Sequence, residues 1–167
     1  IFMRYLYRKA FFNPDILIVL TEFSHGDDVL FKPKRVCIVP NGIKDEYPLY
    51  SDFLNVCRQR NKEVINLLYV GALYKERGIL ELLDSVHFLI KKKISVNLRL
   101  MGIFISKDFE LETKKYVDEL GIKEHVFFIG TKINHEKWQV FCESDIFCFP
   151  TFVPSETFGL VLVESMQ

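Results

Sequence analysis

From Asn66 onward, short apolar runs alternate with stretches whose apolar residues recur every three or four positions. Asn66-Leu-Leu-Tyr-Val70, Val96-Asn-Leu-Arg-Leu-Met101, His125-Val-Phe-Phe-Ile129 and Asp145-Ile-Phe-Cys-Phe149 read as strands, because each is short, apolar and bounded by turn residues. Between the first two, Ile79, Leu82, Leu83, Val86, Leu89 and Ile90 form a full helical stripe, which predicts a helix over 79–93. Lys91, Lys92 and Lys93 suit the negative end of its dipole. A second helix over 109–120 brings Phe109, Tyr116, Val117 and Leu120 together and stops at Gly121. A third, over 135–144, carries Trp138, Phe141 and Cys142 on one face. The last begins near Phe158 and is apolar almost all round (Leu160, Val161, Leu162, Val163, Met166), which predicts burial.

Upstream, Asp15-Ile-Leu-Ile-Val-Leu20 predicts a buried strand and Arg35-Val-Cys-Ile-Val39 a second, closed by the turn residues Pro40-Asn41-Gly42. Residues 1–12 spread Arg4, Arg8 and Lys9 among aromatics, as an amphipathic helix does and a signal peptide does not. Residues 44–62 show no clear period. The expected organisation is therefore a segment 1–42, a linker 43–60 and a domain 61–167. Continuous apolar strands alternating with helices predict an α/β fold: a Rossmann-like parallel sheet with helices on both faces. Such a sheet binds ligands beyond the carboxyl ends of its strands, so the loops 71–78, 102–108, 130–135 and 150–158 are the ones to inspect.

Composition narrows the chemistry. The 167 residues carry 22 basic and 22 acidic side chains, a balance that excludes a broadly basic nucleic-acid binder. Apolar residues make up 49%, with 16 Phe and 7 Tyr, too many for a disordered segment. No apolar run reaches membrane-spanning length. Ile1 in place of an initiator Met, and Gln167 following an apolar run without a stop residue, read as a piece of a longer protein. Cys37, Cys57, Cys142 and Cys148 have neither a Cys-x-x-Cys pair nor a His at metal-ligand spacing, so reduced, buried thiols of a cytosolic protein are expected. His25, His87, His125 and His135 are scattered and read as surface or boundary residues.

Two constellations carry candidate chemistry. The loop Gly71-Ala-Leu-Tyr-Lys-Glu-Arg-Gly78 enters a helix with Lys75 and Arg77 beside the free N–H groups of its first turn. That is either an anion site or a solvated basic loop. It has neither the Gly-Lys-Ser/Thr of a Walker loop nor Gly-x-Gly-x-x-Gly. In Pro154-Ser-Glu-Thr-Phe-Gly-Leu-Val-Leu-Val-Glu164, Glu156 ends a loop and Glu164 lies inside an apolar helix, where a carboxylate needs a hydrogen-bond partner. Glu156 either caps the helix or meets sugar hydroxyls; Glu164 either pairs with a neighbouring cation or accepts the two hydroxyls of a ribose. Gly159 lets a phosphate approach the backbone closely. Cations for a diphosphate and carboxylates for hydroxyls, on loops of one sheet, suit a nucleotide-sugar.

With Glu156-x-Phe-Gly-x-x-x-x-Glu164, Pro40-Asn-Gly-Ile43 and the loop ending Arg77-Gly78, the sequence resembles the retaining glycosyltransferases of family 4, of GT-B fold, from about Asp15 to Gln167. The resemblance implies that 1–42 ends an acceptor-side domain and 61–167 is an incomplete nucleotide-sugar-binding domain, truncated at its C-terminus. It assigns Glu164 to the donor ribose and Glu156 to hydroxyls of the transferred sugar. Gly71, Lys75, Arg77, Phe158, Gly159 and Leu160 fall in the segments around the diphosphate, and the loop from Gly130 to Ile133 lies against the base. Arg77 stands where the family has a phosphate-binding Lys, and Glu156 and Arg77 are the expected catalytic residues. Ala72 stands where the family commonly has Arg, with Lys75 the nearest replacement, and Gly102-Ile-Phe104 replaces the frequent Gly-x-Gly.

The implied reaction moves a hexose, with retention, from a nucleotide-diphosphate sugar to a glycan or lipid-linked acceptor in polysaccharide biosynthesis. No metal and no cofactor beyond the donor substrate is implied, and no nucleic-acid partner. The expected place is the cytoplasm, with peripheral association at the inner face of the membrane. The fragment alone is expected to be inactive. A nucleotide-sugar epimerase of the same fold and a noncatalytic nucleotide-binding module are the alternatives.

Overall fold

The computed structural model describes residues 15–22, 33–44, 63–153 and 159–167. The chain divides into two compact units, Ile1–Lys44 with Ser155–Leu160 and Asp45–Pro154 with Val161–Gln167. The helix expected over 1–12 and most of the linker 43–60 lie outside the described residues.

In the first unit, β1 (Ile16–Val19) pairs in parallel with β2 (Arg35–Ile38), with Ile16 opposite Arg35 and Val19 opposite Ile38. The ladder extends at both ends, Arg35 N–H donating to the Asp15 carbonyl (3.1 Å) and Val39 N–H to that of Val19 (2.8 Å). Parallel neighbours need a crossover of a dozen residues or more, which 20–34 supplies. The expectation that β1 is buried is corrected: Ile16 and Ile18 are 54% and 66% exposed, and only Val19 is buried. An apolar strand is buried only where layers cover both faces, and no described residue of this unit covers Ile16 and Ile18.

The second unit holds a four-stranded parallel sheet: β3 (Ile65–Val70), β4 (Val96–Met101), β5 (Val126–Gly130) and β6 (Ile146–Phe147), in the order β5-β4-β3-β6. Its helices are α1 (Ile79–Lys91), α2 (Lys107–Leu120) and α3 (Asn134–Cys142), and α4 (Leu160–Glu164) belongs to it from Val161 on. Alternation along the strands sorts the side chains. Leu67, Tyr69, Leu98, Leu100 and Val126 face α1 and α2, which answer with Ile79, Leu83, Val86, Phe109 and Val117 to form the core. The opposite face meets α3: the Phe141 ring stacks 5.9 Å from that of Phe147, and Arg99 of β4 pairs with Glu143 at 2.8 Å. Helices thus cover both faces, as the continuous apolar strands require. Fully burying a leucine in such a layer contributes about 1.5–3 kcal/mol.

The predicted helix limits hold where caps are strong. The Ser106 hydroxyl accepts from Phe109 N–H (3.4 Å) and starts α2 two residues early; Gly121, left-handed at φ 66°, ends it. β6 is shorter than its apolar run. Before it, Asp145 N–H donates to the Asn66 carbonyl (2.8 Å) while its carboxylate accepts Asn66 N–H (2.8 Å), and after it Cys148 N–H donates to the Leu68 carbonyl (2.7 Å). α4 is not buried as its composition predicts. Leu160 is 42% exposed and no residue of this five-residue helix is buried, because no described element is layered over it. Cys37, Cys142 and Cys148 are half-buried rather than buried; Cys57 lies outside the described residues. His87 and His125 are half-buried and His135 is exposed, His125 Nδ1 lying 2.9 Å from the Val96 carbonyl; His25 is outside the described residues.

Candidate functional site

The second unit's chain runs from β3 outward through β4 to β5, then returns to the other side of β3 as β6. Its crossovers therefore leave β3 in opposite directions, and that reversal marks the binding crevice of an open parallel sheet, at the carboxyl ends of β3 and β6. The loops 71–78 and 148–153 flank it.

Backbone contacts weld these loops together. Phe152 N–H donates to the Glu76 carbonyl at 2.7 Å. Gly78 is left-handed at φ 72°, and a Cβ there would lie 2.1 Å from the Pro150 carbonyl oxygen, so only glycine fits. On the other flank Gly71 N–H donates to Met101 (2.9 Å), Leu73 N–H to Ile103 (2.8 Å) and Gly102 N–H to Gly130 (2.9 Å). A Cβ on Gly102 would meet the Gly71 carbonyl oxygen at 1.8 Å. The four loops form one continuous rim. Phe104, in place of a glycine, bridges to Leu73 and sets its ring 6.1 Å from Phe109 and 5.5 Å from Phe128, which anchors the rim to the core. Ala72 gives its carbonyl to the hydroxyl of fully buried Tyr69 (2.9 Å).

Arg77 closes a 3-10 turn, Lys75–Arg77, and reaches across to the other loop. Its Nη1 donates to Thr151 Oγ1 at 3.5 Å, and its guanidinium lies over the rings of Tyr74 (5.4 Å) and Phe149 (5.9 Å). Lys75 is exposed on the same turn. Glu164, at the end of α4 and within the second unit, accepts from Lys137 Nζ at 2.9 Å; the two side chains are 26% and 20% exposed. Lys137 thus supplies the hydrogen-bond partner that a carboxylate in this helix needs. Lys137 also lies 4.6 Å over the Trp138 ring.

The remaining predicted residues sort plainly. Gly130, the last residue of β5, turns the chain at φ 67°, and Ile133, the N-cap of α3, is exposed. Glu156 and Phe158 lie outside the described residues. Gly159 and Leu160 group with the first unit. Gly71, Lys75, Arg77 and Gly130 therefore share the rim of the second unit, while Glu164 stands at the α3 side with Lys137. Sequence reasoning missed Lys137, Tyr74, Phe149 and Thr151. The three-residue spacing of Tyr74 and Arg77 was a usable signal, because one turn keeps such a pair within reach; Lys137 meets a carboxylate 27 residues away and had none.

Burial pushes the Cys148 thiol above its ordinary value, which keeps it protonated and poorly nucleophilic at neutral pH. In the helix layer, a hollow between α1 and α2 holds the Tyr116 hydroxyl 2.5 Å from Asp84 Oδ1; that hydrogen bond is the main cause of its raised pKa.

A sequence profile described as glycosyl transferases group 1 matches residues 57–167. An uncharacterized 41.2 kDa protein in the cps region of Klebsiella pneumoniae is 27% identical over 146 residues, 86% of this chain and 37% of that protein. Among solved structures, HepE of Anabaena with UDP and glucose superposes with a TM-score of 0.69 at 20% identity, covering 91% of this chain and 42% of its own. WaaG, a glycosyltransferase involved in lipopolysaccharide biosynthesis, gives 0.70 at 21%, covering 90% and 41%. Sucrose-phosphate synthase of Thermosynechococcus elongatus gives 0.71 at 23%, covering 97% and 41%. These likenesses establish the shared GT-B fold. The chain spans about two fifths of the length of the relatives it matches.

Proposed function

Because the chain belongs to the glycosyl transferases group 1, we propose that its full-length protein moves a hexose from a nucleotide-diphosphate sugar to a glycan or lipid-linked acceptor, with retention of the anomeric configuration. The observation that carries this reading is the junction at the sheet's reversal point. A cationic loop is bonded to the start of the acidic loop there, with Arg77 reaching Thr151. HepE binds UDP and UDP-glucose on the same fold, which supports a nucleotide-sugar donor. WaaG's part in lipopolysaccharide biosynthesis supports a lipid-linked glycan as acceptor.

In this reading Arg77 and Lys75 meet the diphosphate, and the loop from Gly71 narrows the approach to it. Glu164 accepts the ribose hydroxyls, with Lys137 holding its carboxylate in place. By their places in the family motif, Glu156 takes hydroxyls of the transferred sugar, Phe158 packs beside them, and the N–H groups of Gly159 and Leu160 meet the diphosphate. The segment from Gly130 to Ile133 lies along the base.

Front-face displacement needs little more. The bond from the anomeric carbon to the diphosphate oxygen breaks as the acceptor oxygen bonds to that carbon from the same face, and the leaving phosphate oxygens, where the charge gathers, take the acceptor's proton. Fixed cations lower that barrier because their dipoles and charges are oriented before the charge develops. Among the described residues no helix is long and apolar enough to cross a membrane. The reading places the protein in the cytoplasm, peripheral to the membrane face where a lipid-linked acceptor is presented.

The test is transfer by the full-length enzyme, with the product anomer read by NMR. Transfer with retention is expected, and Arg77→Ala or Glu164→Gln lowers turnover tenfold or more with an unchanged melt. One lost charge-assisted hydrogen bond amounts to about 1.5–3 kcal/mol, and about 1.4 kcal/mol is a factor of ten. Wild-type turnover in both variants, or epimerised donor without transfer, contradicts the reading.

A further inference from the structure

Arginine carries many rotamers, and an arginine at the rim of an open crevice binds an anion well only if something holds its guanidinium before the ligand arrives. Here two aromatic faces do so. The Arg77 guanidinium carbon lies 5.4 Å from the Tyr74 ring centre and 5.9 Å from that of Phe149, while Nη1 donates to Thr151. Both rings are placed by local structure. Arg77 N–H donates to the Tyr74 carbonyl (3.0 Å), closing the turn that Tyr74 caps and keeping the two side chains within reach of each other. Phe149 lies two residues past Phe147, just beyond β6, and the two rings stack with centres 6.3 Å apart and planes 18° apart.

The row continues behind Phe149. Phe147 stacks on Phe141 at 5.9 Å, and Phe141 meets Trp138 at 5.4 Å with the planes tilted by 35°. The far ring, Trp138, carries Lys137, the partner of Glu164. One run of aromatics therefore has the guanidinium at one end and the Lys137–Glu164 pair at the other.

We propose that Tyr74 and Phe149 are positioning residues that hold the Arg77 guanidinium for the donor diphosphate, with the aromatic row behind Phe149 as its fixed support. The inference rests on the reading of Arg77 as the diphosphate's cation. The attraction is electrostatic: a ring's negative face meets the positive guanidinium, and a leucine of similar bulk supplies no such face.

The experiment measures UDP affinity by calorimetry, with donor KM and kcat, in the full-length enzyme carrying Phe149→Leu, Phe149→Tyr, Tyr74→Leu or Arg77→Ala, and in the Phe149→Leu/Arg77→Ala pair. Phe149→Leu and Tyr74→Leu each weaken UDP binding about fivefold and raise donor KM more than they lower kcat. Phe149→Tyr, which keeps the ring, stays within about twofold of wild type. In the Arg77→Ala background Phe149→Leu adds nothing further, the non-additivity expected when one residue acts through another. A full Phe149→Leu penalty in that background overturns the proposal, because the ring then acts elsewhere. So does normal UDP affinity in both leucine variants alongside a loss in Arg77→Ala. Normal affinity in Arg77→Ala itself overturns the underlying site reading instead. If Phe149→Leu fails to fold, Tyr74→Leu alone and in the Arg77→Ala background decides by the same criteria.

Discussion

Gly78 and Gly121 sit at nearly the same left-handed backbone, φ 72° and 66°, but in different surroundings. Gly121 has open space where a Cβ would go, whereas at Gly78 that atom would strike the Pro150 carbonyl oxygen. Comparing the two alanine variants separates backbone strain from the contact that joins the loops. Gly121→Ala is expected to cost about 1–2 kcal/mol, the left-handed penalty alone. Gly78→Ala costs clearly more, read as a larger drop in thermal midpoint, and disturbs the rim. Equal drops would mean that the Pro150 contact gives way freely. Both glycines were visible in the sequence, but the collision that sets them apart was not, because Pro150 lies far along the chain. Arg77 was legible from its glycine-bounded loop. Lys137 was not: beside the buried Trp138 it reads as an ordinary surface cation, and only the packing of α3 brings it to Glu164.

The elements that sequence pattern located well are those whose own residues decide their limits. α1 carries a complete apolar stripe, and α2 has a serine at one end and a left-handed glycine at the other. Ser106→Ala removes the hydroxyl that accepts Phe109 N–H and should cost about 1 kcal/mol in a denaturant titration. A Ser106→Asp variant, which keeps an acceptor, should lose much less. A negligible loss in Ser106→Ala would show that α2 is held by packing of Phe109 and Val117 alone. Elements whose limits depend on distant neighbours were misread. β6 has the apolar residues of a longer strand, but β3 pairs in register only with Ile146 and Phe147 of it. β1 and α4 have the composition of buried elements, and burial belongs to the layers around them rather than to their own residues.

At the scale of the molecule, strand order does what no single motif can. A parallel sheet was legible from apolar runs alternating with helical stripes. The order β5-β4-β3-β6 was not, since it depends on which side of β3 the last crossover returns to. That return sets the loop of Arg77 against the loop beginning at Pro150, and the group 1 glycosyl transferase profile covers the same region. If this junction grips a nucleoside diphosphate through Arg77, as proposed, then UDP, GDP or ADP titrated into the full-length protein in a calorimeter gives saturable binding for at least one of the three, and Arg77→Ala weakens that binding tenfold or more. Binding of none of the three, or equal affinity in the variant, would refute it.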